Sequence, residues 1–332
     1  MKLAIYTSAL EGWISGGIAC IIEVLNSLHA TGHDVCAFVD INGDKNCTWI
    51  KNNFPIYPAD SEEYRNYDGI LVSPFSVTAK AVADHQNAKD RFYWVHTNEA
   101  VFNDNDVQWR KRASDSYSLP LKIFCTSSYV QIIMEQIYNR NTIGRLVSPG
   151  FDNSIFRSGD KSRFNDKNPL RVVMWGRGGW VRGIDVALEG LSMAKDLGVP
   201  IQVDVLQDGI KSRLAVAERY KRAHVYLDAS RLAGCPTPVI ESMACGTVPI
   251  CTRYGTTDFV LNDYNGFIVP SDAPGKIAIA LKRAALESLD LGIYSENAVG
   301  QVKDRNWDAI AYNFDIAIAE GLSRADLLEK RF

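Results

Sequence analysis

No run of apolar residues in this 332-residue chain approaches the roughly 18 needed to cross a bilayer. The opening, MKLAIYTSALEG, holds too short an apolar run for a secretory signal. Cysteine is sparse and unpatterned. There are seven, an odd number, with no C-x-x-C pair and no metal-like spacing, which argues against a disulfide framework and a zinc site. Their scatter through apolar segments (Cys20, Cys36, Cys125, Cys245, Cys251) suits buried thiols and a cytoplasmic location. Charge of one sign is missing as well. The net value of −3 gives no reason to expect nucleic acid or an acidic membrane as partner, although a peripheral membrane contact stays open. Low-complexity segments are absent. Neither G-x-x-x-x-G-K-[ST] nor G-x-G-x-x-G occurs, and no tyrosine has a lysine four residues on. These absences remove a P-loop NTPase and weaken a dinucleotide oxidoreductase, even though Asp40 ends an apolar segment where such an enzyme would hold a ribose.

What is present is a repeated order of segments. KLAIYT (2–7) has strand length, EGWISGG is a glycine-containing loop, and GIACIIEVLNSLHA has helical spacing. Gly32 then stops the helix before the strand-like DVCAFVD. Residues 170–206 repeat the order: LRVVMW, the loop GRGGWVRG, the helical IDVALEGLSMAKD, Gly198, and IQVDVL. Strand, glycine loop, helix, strand opens a doubly wound α/β domain, so the repeat predicts two of them. The polar stretch 151–169, closed by Pro169, reads as the join. The expected division is residues 1–157, a linker over 158–169, a second domain over 170–302, and an amphipathic helix after 303. Ligands of open α/β sheets sit at the carboxyl ends of the strands, so functional residues are expected in the glycine loops.

Three loops have chemistry to offer. In TPVIESMACG, Thr237 is a good N-cap and Pro238 a good first helical residue. Such a helix start suits a phosphate. Glu241, one turn in, could accept hydrogen bonds from the vicinal hydroxyls of a ribose, or it could merely complement the helix end or a neighbouring cation. In GRGGWVRG, Arg177 and Arg182 stand five apart on a glycine-rich turn at a strand's end. Two guanidiniums there could clamp a diphosphate, where the plain alternative is a solvated pair. Gly16 and Gly17 offer a similar loop in the first half, or simply a turn.

The segments GGIACIIEVLNSLHATGHDV, VSPGFDNSIFRSG, MWGRGGWVRGIDVAL and YLDASRLAGCPTPVIESMACGTVPICTRYGTTDFVLNDYNGFIVP occur in this order. Together they resemble the signatures of the retaining GT-B glycosyltransferases of the large group-1 family. The resemblance implies two Rossmann-like domains facing across a cleft, the first holding the acceptor and the second a nucleotide-sugar donor. It implies that Arg177 and Arg182 hold the donor diphosphate, with Arg182 where the family usually has lysine. Glu241 would be the second Glu of the family's Glu-x7-Glu and bind the ribose. Gly16 and Gly17 would close over the phosphates. Thr257, with Thr256 and Asp258, falls in the segment the family writes Gly-Gly-x-Pro-Glu. His96, in YWVHTNEA, would lie near the reacting sugar; otherwise it is a core histidine with a satisfied ring. The last helix would cross back to the first domain and couple closure of the cleft.

The expected reaction is transfer of a sugar, with retention, from a UDP- or GDP-sugar to a hydroxyl of a glycan, lipid or small molecule. It needs no cofactor, and the arginines replace a metal. Asp104-Asn105-Asp106 resembles a metal-binding Asp-x-Asp but reads as a solvent-facing loop. One departure matters. The first Glu of Glu-x7-Glu is Ala233 here. This opens a second reading, a nucleotide-sugar binder that partners an active transferase.

Overall fold

The computed structural model describes residues 1–329 except 11–14, 44, 46, 103–105, 208, 209, 211 and 287, and it describes no side chains over 324–329. The expected loop EGWISGG and the Asp104-Asn105-Asp106 run therefore lie partly outside the described residues.

The chain forms two compact units, Met1–Gly150 with Trp307–Phe332, and Phe151–Asn306. In the first, the strands are β1 (Lys2–Thr7), β2 (Asp34–Val39), β3 (Ile56–Pro58), β4 (Ile70–Ser73), β5 (Asp90–Val95) and β6 (Lys122–Cys125). Its helices are α1 (Gly16–Ala30), α2 (Glu62–Arg65), α3 (Ser76–Asp84), α4 (Val107–Ser116) and α5 (Ser128–Ile132). All neighbouring strands run parallel in the order β3-β2-β1-β4-β5-β6. Successive side chains of a strand face opposite ways, and these strands bury both faces. In β1, Leu3 and Ile5 enter one core while Ala4 and Tyr6 enter the other. In β5, Phe92 and Trp94 part from Tyr93 and Val95 in the same way.

The second unit holds β7 (Leu170–Trp175), α6 (Ile184–Asp196), β8 (Ile201–Leu206), α7 (Arg213–Arg222), β9 (Val225–Asp228) and α8 (Thr237–Ala244). These are followed by β10 (Val248–Thr252), β11 (Phe267–Val269), α9 (Pro274–Ala285) and α10 (Leu291–Val302). Its parallel sheet has the order β11-β10-β9-β7-β8. Both orders are doubly wound, and each reverses direction once: between β1 and β4 in the first unit, and between β7 and β9 in the second. Such a reversal leaves a crevice at the strands' carboxyl ends.

Residues 158–169, expected as a linker, are tied into the second unit. Arg163 reaches the carbonyls of Ala223 at 3.1 Å and Gly246 at 2.7 Å, and Phe164 packs on the core. The polar composition that suggests a free join is here spent on anchoring. The last helix, α11 (Trp307–Glu329), packs within the first unit through Trp307, Ile310, Phe314 and Ile318.

Candidate active site

In the second unit the glycine-rich loop crosses the reversal point. After β7 the chain makes a 3-10 turn over Gly179–Arg182, bracketed by Gly178 and Gly183, both with positive φ. Gly183 admits no other residue, because a Cβ there would stand 2.1 Å from the Ala229 carbonyl oxygen. The loop is stapled to the residues after β9. The Arg231 amide donates to the Val181 carbonyl at 2.8 Å, and its guanidinium donates to the Trp180 carbonyl at 2.9 Å. The same guanidinium, buried, forks onto Asp185 at 2.8 and 2.7 Å and pairs with Asp272. Sequence reasoning missed Arg231. Its only signal was a charge next to a buried strand.

Arg177 and Arg182 line one pocket with Asp228, Ser230 and Pro238. The pocket's volume is about 40 Å³, room for a few oxygen atoms rather than a whole nucleotide. The Arg177 guanidinium stacks on the Trp175 ring at 4.1 Å, and Trp175 Nε1 donates to the Tyr220 hydroxyl at 3.0 Å. Among the described residues no hydrogen bond or ion pair engages the Arg182 guanidinium. The two cations therefore converge, as the sequence suggests, with one braced on an aromatic face and the other uncommitted.

Glu241 lies one turn into α8. Burial raises its carboxyl to about 7, against the pull of Arg213 and Arg177, which favour the ionised form. A carboxylate this desolvated is a better acceptor for ligand hydroxyls than a solvated one. Thr237 differs from expectation. Pro236, in extended conformation, is the N-cap and Thr237 the first helical residue, so its hydroxyl makes no capping bond. The backbone turns one residue earlier because Pro236 already holds the extended φ a cap needs. Thr257 lies in a 3-10 turn over Gly255–Asp258, exposed, and its hydroxyl donates to the Tyr254 carbonyl at 3.2 Å. Ala233 is buried.

In the first unit, Gly17 and His96 meet across Phe75. A Cβ on Gly17 would lie 3.3 Å from the Phe75 ring, and that ring is 5.9 Å from the His96 ring. His96 also packs on Trp94, at 4.3 Å between centroids. Burial lowers its pKa to about 3, so the imidazole is neutral. Its Nε2 is buried with no hydrogen-bond partner among the described residues, which is unlike a satisfied core histidine. Glu99, not singled out in the sequence, ties these loops together. Its carboxylate accepts from the Ser76 amide at 3.0 Å and the Ser76 hydroxyl at 2.6 Å, beside Phe75. Asp106 caps α4, accepting from the Trp109 amide at 2.8 Å. No cluster of three or more His, Cys, Asp or Glu side chains among the described residues is placed to hold a metal. Among them, too, no helix is long and apolar enough to cross a membrane.

Residues 161–298 match the model of the family described as glycosyl transferases group 1. That match lies within the second unit. It is accompanied by a likeness of fold over nearly the whole chain. Sucrose-phosphate synthase from Thermosynechococcus elongatus superposes with a TM-score of 0.74 at 16% identity, covering 97% of this chain and 99% of that one. Anabaena HepE, solved with UDP and glucose, gives 0.73 at 12% identity, covering 98% and 100%. A glycosyltransferase from Rickettsia africae gives 0.63 at 14%, covering 96% and 98%. At these identities the likeness is one of fold, the GT-B fold of two parallel α/β domains. No curated protein matches the chain. Within the matched region, Arg177, Arg182 and Glu241 occupy the loop and helix that the resemblance assigned to the donor, while position 233, where the resemblance implies a carboxylate, carries a buried methyl.

Proposed function

We propose that this chain is a retaining glycosyltransferase that moves a sugar from a UDP- or GDP-sugar to a hydroxyl of a glycan, a lipid or a small molecule. The observation that carries the reading is the pairing of Arg177 and Arg182 in one pocket beside the start of α8, with Glu241 one turn further in. The costly event in such a transfer is separation of a sugar cation from a diphosphate anion. Preorganised donors in a dry site oppose that cost, and losing one typically costs about 3 kcal/mol. Arg177 and Arg182 neutralise the leaving diphosphate in place of a metal, and Glu241 accepts from the ribose hydroxyls. Gly16 and Gly17 close over the phosphates, and the neutral His96, with its unpaired Nε2, hydrogen-bonds the transferring sugar. A departing phosphate oxygen takes the acceptor's proton. UDP is favoured by the complexes of HepE with UDP and with UDP-glucose. A cytoplasmic location goes with the reduced thiols, and a lipid acceptor would bring a peripheral membrane contact.

Ala233 favours a second reading, a nucleotide-sugar binder that acts as partner of an active transferase. Two measurements separate the readings. A thermal-shift panel of UDP, GDP and their sugars should show one nucleotide raising the melting point. Slow release of nucleoside diphosphate from the matching donor should then mark an enzyme. Binding with no release under any acceptor leaves the partner reading, and no binding at millimolar nucleotide removes both.

A further inference from the structure

A second pocket, of about 580 Å³, lies wholly within the first unit at the carboxyl ends of β1 and β2. Tyr6, Ser8, Asp40, Ile41 and Asn42 line it. Its size suits a ligand rather than a water molecule. The wall is built with little tolerance. The Gly43 amide donates to the Asp40 carbonyl at 2.8 Å, and a Cβ on Gly43 would stand 2.0 Å from the Ser8 carbonyl oxygen, so only glycine lets the two loops meet. Asp40 is oriented from below. The nearly buried Tyr6 donates its hydroxyl to Asp40 Oδ1, and burial together with Asp40 pushes the Tyr6 pKa up, so it stays a donor. Asp40, Asn42 and Ser8 present hydrogen-bonding groups, and exposed Ile41 adds an apolar lip. None of the described residues lining the pocket is Lys, Arg or His.

A carboxylate at the end of the second strand of a doubly wound domain is where vicinal hydroxyls are held. In dinucleotide enzymes those hydroxyls belong to a ribose, and a glycine fingerprint holds the adjoining pyrophosphate. That fingerprint is absent here, and among the described lining residues no cation could hold a phosphate. The same sheet edge carries Gly17 and His96. We propose that this pocket binds the vicinal diol of an uncharged pyranose, the acceptor sugar, with Asp40 as the hydrogen-bond acceptor. The acceptor role rests on the transferase reading; the diol site does not. With no cation among its described lining residues and Asp40 in its wall, the pocket favours neutral over phosphorylated sugars.

Saturation-transfer NMR on the full chain, with and without UDP, tests this. The probes are methyl α-D-glucopyranoside, methyl α-D-mannopyranoside and methyl N-acetyl-α-D-glucosaminide, with glucose against glucose 6-phosphate, and adenosine as the ribose arm. At least one glycoside should bind, Asp40→Asn should weaken it about tenfold, and Asn42→Ala, at the exposed rim, about threefold. Asp40→Asn keeps an oxygen for Tyr6, and its affinity for UDP should equal that of the wild type. Glucose should bind better than its 6-phosphate. The proposal is overturned if no glycoside binds, if both variants bind like wild type, if the phosphate binds tighter, or if adenosine is the ligand that Asp40→Asn releases. If neither UDP nor GDP binds but a glycoside still depends on Asp40, the diol site stands and its acceptor role falls.

Discussion

The two units share one plan and differ in what they place at the strands' carboxyl ends. The second sets two guanidiniums, a helix start and a half-buried carboxylate there. The first sets a neutral imidazole, a carboxylate locked onto Ser76, and Asp40. The backbone plan makes a crevice in both; the side chains make one suited to an anionic diphosphate and the other to uncharged hydroxyls. A repeated fold thus carries no repeated chemistry, and charge separates the two roles.

The sharpest way to break this contrast is at the arginines. Arg177→Ala or Arg182→Ala should each weaken nucleoside diphosphate binding about 100-fold by calorimetry, the loss of roughly 3 kcal/mol expected for a preorganised donor. Arg182→Lys should keep most of the affinity, since the guanidinium is uncommitted. Arg177→Lys should lose more, since an ammonium cannot reproduce the stack on Trp175. Equal losses for the two lysine variants would erase the distinction drawn between them.

His96→Asn should lower donor turnover about tenfold or more while leaving UDP affinity unchanged. The neutral ring predicts no inflection from His96 between pH 5 and 8 in the rate profile. A parallel loss of UDP affinity would show that His96 serves the nucleotide rather than the transferring sugar.

Glu241 gives a smaller effect with a sign that changes between states. Its folded-state pKa, about 7, lies above the ordinary value of 4.5. From pH 4.5 to about 7 the folded protein therefore holds a proton that the unfolded chain has released, and stability from this group falls as pH rises through that window. Glu241→Gln should stabilise the ligand-free protein at pH 8 by about 1–3 kcal/mol in urea unfolding and have little effect at pH 4.5. The same variant should weaken nucleotide-sugar binding about tenfold at pH 8, because ribose hydroxyls favour the ionised form. Destabilisation at pH 8 would show that the carboxylate is structural.

The smallest effects belong to the threonines. Thr237→Ala should cost under about 0.5 kcal/mol, not the 1 kcal/mol or so of a true N-cap, because Pro236 holds that place. Thr257→Ala should change nucleotide affinity less than threefold, its hydroxyl being turned to the Tyr254 carbonyl.

The legible parts were those written in local pattern. The strand length of β1 and the helical spacing of α1 and α6 recur in the structure where the sequence pattern puts them. Arg177 and Arg182 line one pocket because each stands in a loop that a strand aims. Composition cannot say whether Arg163 meets water or four carbonyls. Arg231 and Glu99 escaped notice because their partners are distant in sequence: Asp185 and Asp272 for one, Ser76 for the other.

By itself the sequence determined two doubly wound halves and the loops in which charge would gather, because strand and helix periods and glycine's conformational freedom act over a few residues. Only the tertiary structure decided which charges remain available. Arg231 is consumed by two aspartates and Arg182 is not, His96 has lost its proton to burial, and Asp40 is turned toward a pocket by Tyr6. Desolvation and pairing depend on what the fold brings alongside each group, and no local window of the chain contains that.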